Sequence, residues 1–469
     1  MTMAPDTMSA AILLLVTLLA ADWPRFRGPN GSGVADTSEV PSEFAKSVAW
    51  KLQLSPGHSS PVLSGTRIFL TALDDSKLYT YSIDRASGKV VWRRECPRSR
   101  TEPIDKRNSA ASSSPVIDGS NVYVFFGDYG LISYTHDGQE RWRTPLGPFH
   151  NVYGMGASPI LAGDKVVLVC DQGVGSFVIA VDKNDGRVRW KTARPQAVSG
   201  HSTPVLYEPE NAPAQILAPG SFQLTSYSAE TGEKLWWIDG LPSEMKSVPV
   251  IGGDTVYISG YNIPQNDPGK QVKIPPFAEA LAKDDANHDG KLARDEIGEA
   301  KLKSYFPFLD LNRDGFLDRE EWRVYQASMA AENGLLAVRL GGRGDVTRTS
   351  LRWKYQKSIP QLPSPLLYRS VLYMINDGGV LSTIDPDTGS LLQQSRLRGA
   401  IDHYYASPVA ADGKVFLVSQ SGVITVLKAG GTPEILTVHE LDDESYATPA
   451  IADGRIYIRT RSALYCFGK

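Results

Sequence analysis

The chain has 469 residues, 42% of them hydrophobic and 22% charged, with a net charge of −3. That length can bury a large core, and the near-neutral balance gives no electrostatic reason to expect nucleic acid or an anionic membrane as a partner. The 42 glycines and 31 prolines favour a turn-rich β protein over a helical one.

The first feature is the apolar run AAILLLVTLLAAD, residues 10–22, which is too short to span a bilayer comfortably. Small residues Ala20 and Ala21 close it. It reads as a secretory signal peptide over residues 1–21, cleaved near Ala21. Residues 1–9 contain Asp6 and no Lys or Arg, so a start at Met8 would make a more ordinary signal. The expectation is an exported protein, periplasmic, envelope-associated or secreted, with no transmembrane segment after cleavage. The three cysteines, Cys96, Cys170 and Cys466, cannot all pair within one chain, and their spacing matches no metal site. Each reads as a small core residue.

Residues 47–54 (SVAWKLQL) form an isolated strand pattern with Trp50. After it, one unit recurs eight times: a small residue, a proline, then a short apolar strand. The prolines are Pro61, Pro115, Pro159, Pro204, Pro249, Pro365, Pro408 and Pro449. Each unit reads as four strands joined by turns, as in SPVL, RIFLTAL, KLYTYSID and KVVWRRE. Proline is tolerated at the first residue of a strand because its missing N–H need not enter the ladder. Four strands in each forty-odd residues predict the blades of a β-propeller.

Most units end with Gly, three variable residues and Trp. These tryptophans are Trp92, Trp142, Trp190 and Trp236, with Trp353 expected in the same place in the fifth blade. A large flat ring on an outer strand can fill the wedge between splayed blades. The sixth blade has Gln393 there, and the seventh is expected to place Ile435 or Leu436. The eighth unit lacks a fourth strand, so strand 47–54 is expected to complete it and close the ring. The fold class is therefore all-β: an eight-bladed propeller over residues 22–262 and 335–469.

The interval from Pro249 to Pro365 is 116 residues, far beyond a blade, and the surplus falls at residues 263–334. Within it lie two loops of the EF-hand pattern, DANHDGKLARDE and DLNRDGFLDREE. Calcium is a hard cation that takes six to eight oxygens, and such a loop supplies them from positions 1, 3, 5, 7, 9 and 12, with Gly at 6 for the turn. The first loop offers Asp285, Asn287, Asp289, the carbonyl of Lys291 and Glu296, with Ala293 leaving its ninth position to water. The second offers Asp310, Asn312, Asp314, the carbonyl of Phe316, Asp318 and Glu321. Leu292 and Leu317 hold the positions where paired loops share a small sheet. Two calcium ions are expected. Only residues 297–309 separate the loops, and Pro307 among them limits helix length, so the helices should be short. Trp322, Tyr325 and Met329 fall on one helical face and should pack the pair. A structural clamp is the expected role.

The repeat seen as DRASGKVVW and DKNDGRVRW resembles the pyrroloquinoline-quinone (PQQ) enzyme repeat. The chain is similar to the PQQ-like propeller superfamily, which includes quinoprotein alcohol dehydrogenases and the propeller subunit of the outer-membrane β-barrel assembly machinery. The opening DWPRFRGPNGSG, residues 22–33, resembles the mature start of exported PQQ-like propellers common in planctomycete bacteria. The resemblance implies a fold, and two functions compete for it. A quinoprotein oxidoreductase of the alcohol dehydrogenase kind would have adjacent cysteines and a Glu–Asn–Asp set for quinone and calcium. This sequence has no such cysteine pair and no placeable set, so PQQ is not expected. Nucleophile-elbow, zinc-protease and phosphate-loop motifs are absent too.

The remaining expectation is a binding scaffold for an envelope protein or small ligand. Three residues before each repeat proline, the chain enters the inner strand, so these positions should ring one mouth of the channel. They are His58, Ser112, Gly156, His201, Lys246, Leu362, Tyr405 and Tyr446, with His403 and Tyr404 beside them. His58, His201, Lys246, His403, Tyr405 and Tyr446 are the candidate ligand contacts.

Overall fold

A computed structural model describes residues 23–469, and the expected signal peptide, residues 1–21, lies outside them. Eight blades of four antiparallel strands follow one another along the chain as blades 1 to 8, and the sheet of blade 4 gains a fifth, parallel strand from blade 5. Blade 1 runs from Val62–Ser64 through Arg67–Asp74 and Lys77–Asp84 to Val90–Glu95. Blade 8 takes its fourth strand from the other end of the chain: Val48–Gln53 pairs antiparallel with Ala463–Phe467, with Trp50 opposite Cys466. All three cysteines are free and buried.

The small residue before each proline has a specific task. The amide of Ser60 in blade 1 donates to the hydroxyl of Ser114 in blade 2, and Ser114 to Ser158 in blade 3, and Ser158 to Thr203 in blade 4, at 2.8–3.0 Å. The series resumes from Val248 to Ser364, Ser407, Thr448 and back to Ser60, at 2.9–3.0 Å. Val248 alone carries no hydroxyl. There, the Ser202 hydroxyl donates to the Ser247 carbonyl at 2.6 Å. Each bond is buried, and its loss would leave an amide unsatisfied.

The outer rim is joined by tryptophan. Trp50, Trp92, Trp142, Trp190 and Trp353 each lie on the turn glycine of the next blade: Gly88, Gly138, Gly186, Gly232 and Gly389. A Cβ on any of these glycines would sit 2.5–2.8 Å from the indole, and each has φ between 70° and 82°, so both space and backbone require glycine. Each indole N–H donates to a carbonyl of that same turn at 2.7–3.2 Å. The repeat's Asp shapes the turn by accepting its amides, as Asp84 does from Ser87 at 2.9 Å. The repeat motif thus encodes a knob on one blade and a socket on the next.

Three junctions differ. Trp236 is fully buried and donates to Gln215 Oε1 at 2.9 Å, and blade 5's turn adds the short strand Gly344–Asp345 beside Trp236 and Trp237. In blade 6, Gln393 occupies the tryptophan place, opposite Thr383. In blade 7 the register puts Thr437, not Ile435 or Leu436, in that place: Val426 pairs with Thr437 and Leu427 with Ile435. Blade 7's outer turn is one residue longer than blade 1's, where Ile83 pairs with Val90, so counting from the glycine falls short. The junction from blade 7 to blade 8 is filled by the N-terminal segment, with Phe44 between His439 of blade 7 and Phe467 of blade 8.

That segment also closes the channel at one end. Trp23 bridges Leu63 of blade 1, and Pro24 accepts from Ile117 of blade 2 at 2.9 Å. Arg25 donates to the Pro204 carbonyl of blade 4 at 2.6 Å, and Arg27 to that of Pro365 in blade 6 at 2.8 Å. Val34 then bridges Ala410 of blade 7, and Thr37 accepts from Gly454 of blade 8 at 2.8 Å.

Gly88→Ala should destabilise by about 2–4 kcal/mol, since it strains a positive φ and drives a methyl into Trp50. Ser60→Ala should cost about 1–3 kcal/mol by orphaning the Thr448 amide. Urea unfolding of each variant against the parent chain checks both.

Candidate functional site

Apart from short helical turns at Pro29–Gly31 and Thr347–Ser350, the described helices lie inside blade 5, between its paired strands Thr255–Gly260 and Gly334–Arg339. Helices α1 (Phe277–Asp284), α2 (Ala300–Leu309) and α3 (Arg319–Ala330) flank the two EF-hand loops. Leu292 pairs with Leu317, joining the loops in a two-stranded sheet. Trp322 packs on Phe277 and Tyr325, with ring centroids 5.7 and 5.5 Å away, while Met329 is also buried. Helix α2 has ten residues and runs through Pro307 to its end.

Loop donors are all hard oxygens, which suits calcium. Gly290 and Gly315 take φ of 79° and 89°, as the sharp turn demands. Asp285 accepts from the Gly290 amide at 3.0 Å, and Asp310 from that of Gly315 at 3.1 Å. Asp318 caps α3 through the amides of Glu320 and Glu321 at 2.8 and 2.9 Å, and Glu321 closes the capping box by accepting from Asp318 at 3.0 Å. Glu321 also accepts from Leu311 at 2.8 Å, and burial raises its pKa. In loop one, Glu296 accepts from Ala293 at 2.8 Å. Among the described residues no three His, Cys, Asp or Glu groups converge on one point. The loop carboxylates are held in place by these amides, and each keeps further lone pairs.

Asparagines clasp the root of this lobe. Asn333 and Asn266 are fully buried. Asn333 donates to Ile263 and Asp267, both at 2.9 Å, and accepts from Asn262 at 2.9 Å. Asn266 donates to Ser328 and Ala331 at the end of α3, both at 2.8 Å. The second loop also rests on the propeller: a Cβ on Gly173 of blade 3 would lie 2.2 Å from the Leu311 carbonyl. Phe308 of α2 packs on Tyr153, with centroids 6.0 Å apart, and a cavity of about 70 Å³ lies along this seam.

Tyr153 belongs to the channel mouth. All eight positions three before the prolines line one cavity of about 410 Å³, with Phe26 of the N-terminal segment among its walls. His58 lies flat on Tyr446, centroids 4.1 Å apart and 14° from parallel, and Tyr405 meets Tyr446 edge-on at 4.9 Å. Across the mouth, His201 meets Tyr153 edge-on at 5.9 Å. Lys246 pairs with Glu244 at 3.2 Å. His403 is the exception: its exposed side chain lies 3.3 Å from Asp377, and it does not line the cavity. Its neighbour Tyr404 is buried, donating to Ala400 at 2.8 Å.

Other lining residues, Asp105, Arg107 and Asn108, come from the connection between blades 1 and 2. The sequence carried one sign of them. The interval from Pro61 to Pro115 is 54 residues, about ten more than its neighbours, and the surplus folds over the mouth. Arg107 pairs with Asp105 at 2.7 Å and lies over the Tyr153 ring at 5.2 Å.

Burial, with Arg459 and Arg461 nearby, lowers the His58 pKa to about 4. Burial likewise lowers His201 to about 4, with Lys246 adding to it and Glu244 opposing. Both imidazoles are neutral at neutral pH, able to donate and accept. With Lys246 and Arg107 each paired to an acid, the mouth offers aromatic faces and polar groups rather than a net charge.

The family model described as outer membrane protein assembly factor BamB matches residues 42–152, 79–263 and 322–469. An EF-hand model matches residues 302–324, around the second loop. Among solved structures, the chain is similar to BamB from Moraxella catarrhalis, at 12% identity over 90% of this chain and 98% of that one, with a TM-score of 0.55. It is similar to a quinohemoprotein alcohol dehydrogenase from Pseudomonas putida, at 12% identity over 96% and 80% of the two chains, TM-score 0.60. It is also similar to a europium-containing methanol dehydrogenase, at 10% identity over 96% and 98%, TM-score 0.59. At these identities the likeness is one of fold. No curated protein matches the chain.

The two imidazoles set a pH dependence. Their folded pKa values lie below the ordinary value of 6.5, so their stabilising contribution is full above pH 6.5 and is lost as pH falls toward 4. The loss should be on the order of 2–3 kcal/mol per imidazole. The double variant His58→Gln, His201→Gln should show a correspondingly shallower fall in unfolding free energy between pH 6.5 and 4.

Proposed function

Because the chain belongs to the family described as outer membrane protein assembly factor BamB and carries an EF-hand, we propose that it is an exported, calcium-binding propeller acting as a scaffold in the cell envelope. Its channel mouth takes a protein segment or small ligand. The observation that carries this reading is the convergence of one equivalent position from every blade on a single cavity of about 410 Å³. That volume lies within the range of small-molecule sites. His58, His201, Lys246, Tyr405 and Tyr446 are its contacts, through ring stacking and hydrogen bonds. His403 serves the rim outside the cavity.

Calcium is the clamp of the inserted lobe. Asp285, Asn287, Asp289, Lys291 (carbonyl) and Glu296 would hold one ion. Asp310, Asn312, Asp314, Phe316 (carbonyl), Asp318 and Glu321 would hold the other. The lobe folds around Leu292, Leu317 and Trp322, so calcium braces an existing core. Among the described residues no helix is long and apolar enough to cross a membrane. Export through the N-terminal signal is part of the same proposal.

Calorimetric titration of the chelated chain should show two calcium-binding events, and Glu321→Gln should remove one of them. Calcium at one hundred times its Kd should add about 2.7 kcal/mol per site to unfolding free energy. Native mass spectrometry of the protein from its own host tests the mouth. A mass beyond two calcium ions, lost in Tyr446→Ala, supports the binding scaffold. An organic mass with quinone absorption would instead make the chain a quinoprotein oxidoreductase.

A further inference from the structure

Three successive connections of the propeller each face two ways. Residues 146–159, between blades 2 and 3, give His150 and Val152 to the seam with the EF-hand lobe and Tyr153 to the mouth. Residues 194–204, between blades 3 and 4, give Ser199 to the seam and His201 to the mouth. Residues 240–249, between blades 4 and 5, give Ser243 to the seam and Lys246 to the mouth, and Glu244 lines both. The second and third connections are tied together, since the His201 amide donates to the Met245 carbonyl at 2.8 Å. The first is tied to blade 3, where the Gly173 amide donates to the His150 carbonyl at 2.8 Å.

The lobe's side of the seam is the end of helix α2 and the start of the second EF-hand loop. Phe308, Asp310, Leu311 and Arg313 line it, whereas no residue of the first loop lines either cavity. Phe308 meets the Tyr153 ring, and the Leu311 carbonyl sits on Gly173. Asp310 and Glu321 are the first and last candidate ligands of this loop. Glu321 is buried, and it accepts from the Leu311 amide at 2.8 Å and the Asn312 amide at 3.3 Å. The carboxylate that would grip the ion therefore also holds the residue that touches the propeller. Coupling between distant sites can travel through contiguous packing of this kind.

We propose that calcium in the second loop regulates the channel mouth. By fixing Leu311 and Phe308 against Gly173 and Tyr153, the ion holds the three connections, and with them Tyr153, His201 and Glu244, in one arrangement. The mouth's shape on this side then depends on calcium, which rests on the reading that the loops take calcium and the mouth a ligand. The first loop's ion braces the lobe and has no such path to the mouth. His58 and Tyr446 form the opposite wall and do not line the seam, so calcium leaves them unchanged.

Hydrogen–deuterium exchange of the full mature chain, with bound calcium counted by calorimetry on the same sample, tests this. Calcium should slow exchange in residues 150–153, 198–201 and 243–246 by about fivefold or more. It should also slow the reaction of His201 with diethyl pyrocarbonate while leaving that of His58 unchanged. Glu321→Gln should lose both effects. Phe308→Ala, at a side chain 40% exposed, should keep both calcium-binding events and reduce the slowing at residues 150–153 and at His201. Slowing confined to residues 277–330 with two ions bound overturns the proposal and leaves the calcium sites standing. Slowing that persists at the mouth in Glu321→Gln, or unreduced in Phe308→Ala, also overturns it. A chain that binds no calcium overturns the calcium reading itself, and the proposal with it.

Discussion

The propeller depends on a ring of hydrogen bonds around its axis, each from the amide of one inner strand to the hydroxyl of the next. Ser60, Ser114, Ser158, Thr203, Ser364, Ser407 and Thr448 supply the hydroxyls. An inner strand packed near an axis has little room for side chains, and its first residue must be small. A hydroxyl meets that limit and satisfies a buried amide that no ladder reaches. The ring sets the inner radius, and the tryptophan-in-glycine contacts set the outer one at five of the eight junctions. With both ends of each blade fastened to its neighbour, the sheets fan out at fixed angles. The residue three before each proline then has one place to go, the channel mouth.

The two ends of the channel differ as a result. One end is open and lined with rings and paired charges. The other is crossed by residues 23–37, which touch six of the eight blades. A tube thereby becomes a cup, and Phe26 serves as part of its wall. The same segment continues to Phe44 and fills the junction where blade 7 lacks a tryptophan. Ring closure therefore has two layers: the strand Val48–Gln53 completes blade 8, and the residues before it wedge blade 7 against blade 8. Residues 23–53 are thus a structural member of the propeller.

The EF-hand lobe enters through one blade without disturbing it. Thr255–Gly260 and Gly334–Arg339 pair over their whole lengths, so the lobe is carried on two chain crossings at the end of a hairpin. Buried Asn266 and Asn333 satisfy the backbone groups freed at those crossings, which reduces the motion a hinge would allow. The Leu311 carbonyl against Gly173 adds a second point of contact. Through Phe308, Tyr153 and His201, the lobe's helix α2 is packed in series with the mouth, so the two functional regions share a wall.

The sequence by itself determined the number of blades, the closing strand, the tryptophan knobs, the two EF-hand loops and the eight mouth positions. These are local or periodic features: a proline and a glycine mark each turn, and the repeat length counts the blades. It did not determine what lies far apart in the chain. The hydroxyl role of the small residue needs the next blade, some forty residues away. The one-residue-longer turn of blade 7 moved the rim position from Ile435 or Leu436 to Thr437, because register is set by pairing rather than by counting from a glycine. His403 stands two residues from Tyr405 in the chain, yet the turn into blade 7 leaves it outside the cavity. Asp105, Arg107 and Tyr153 reach the mouth from long connections whose path no pattern specifies. The closing segment, with Arg25 and Arg27 buried at its centre, became legible only in three dimensions. Its contacts are to six separate blades, and no short-range rule of sequence encodes contacts of that kind.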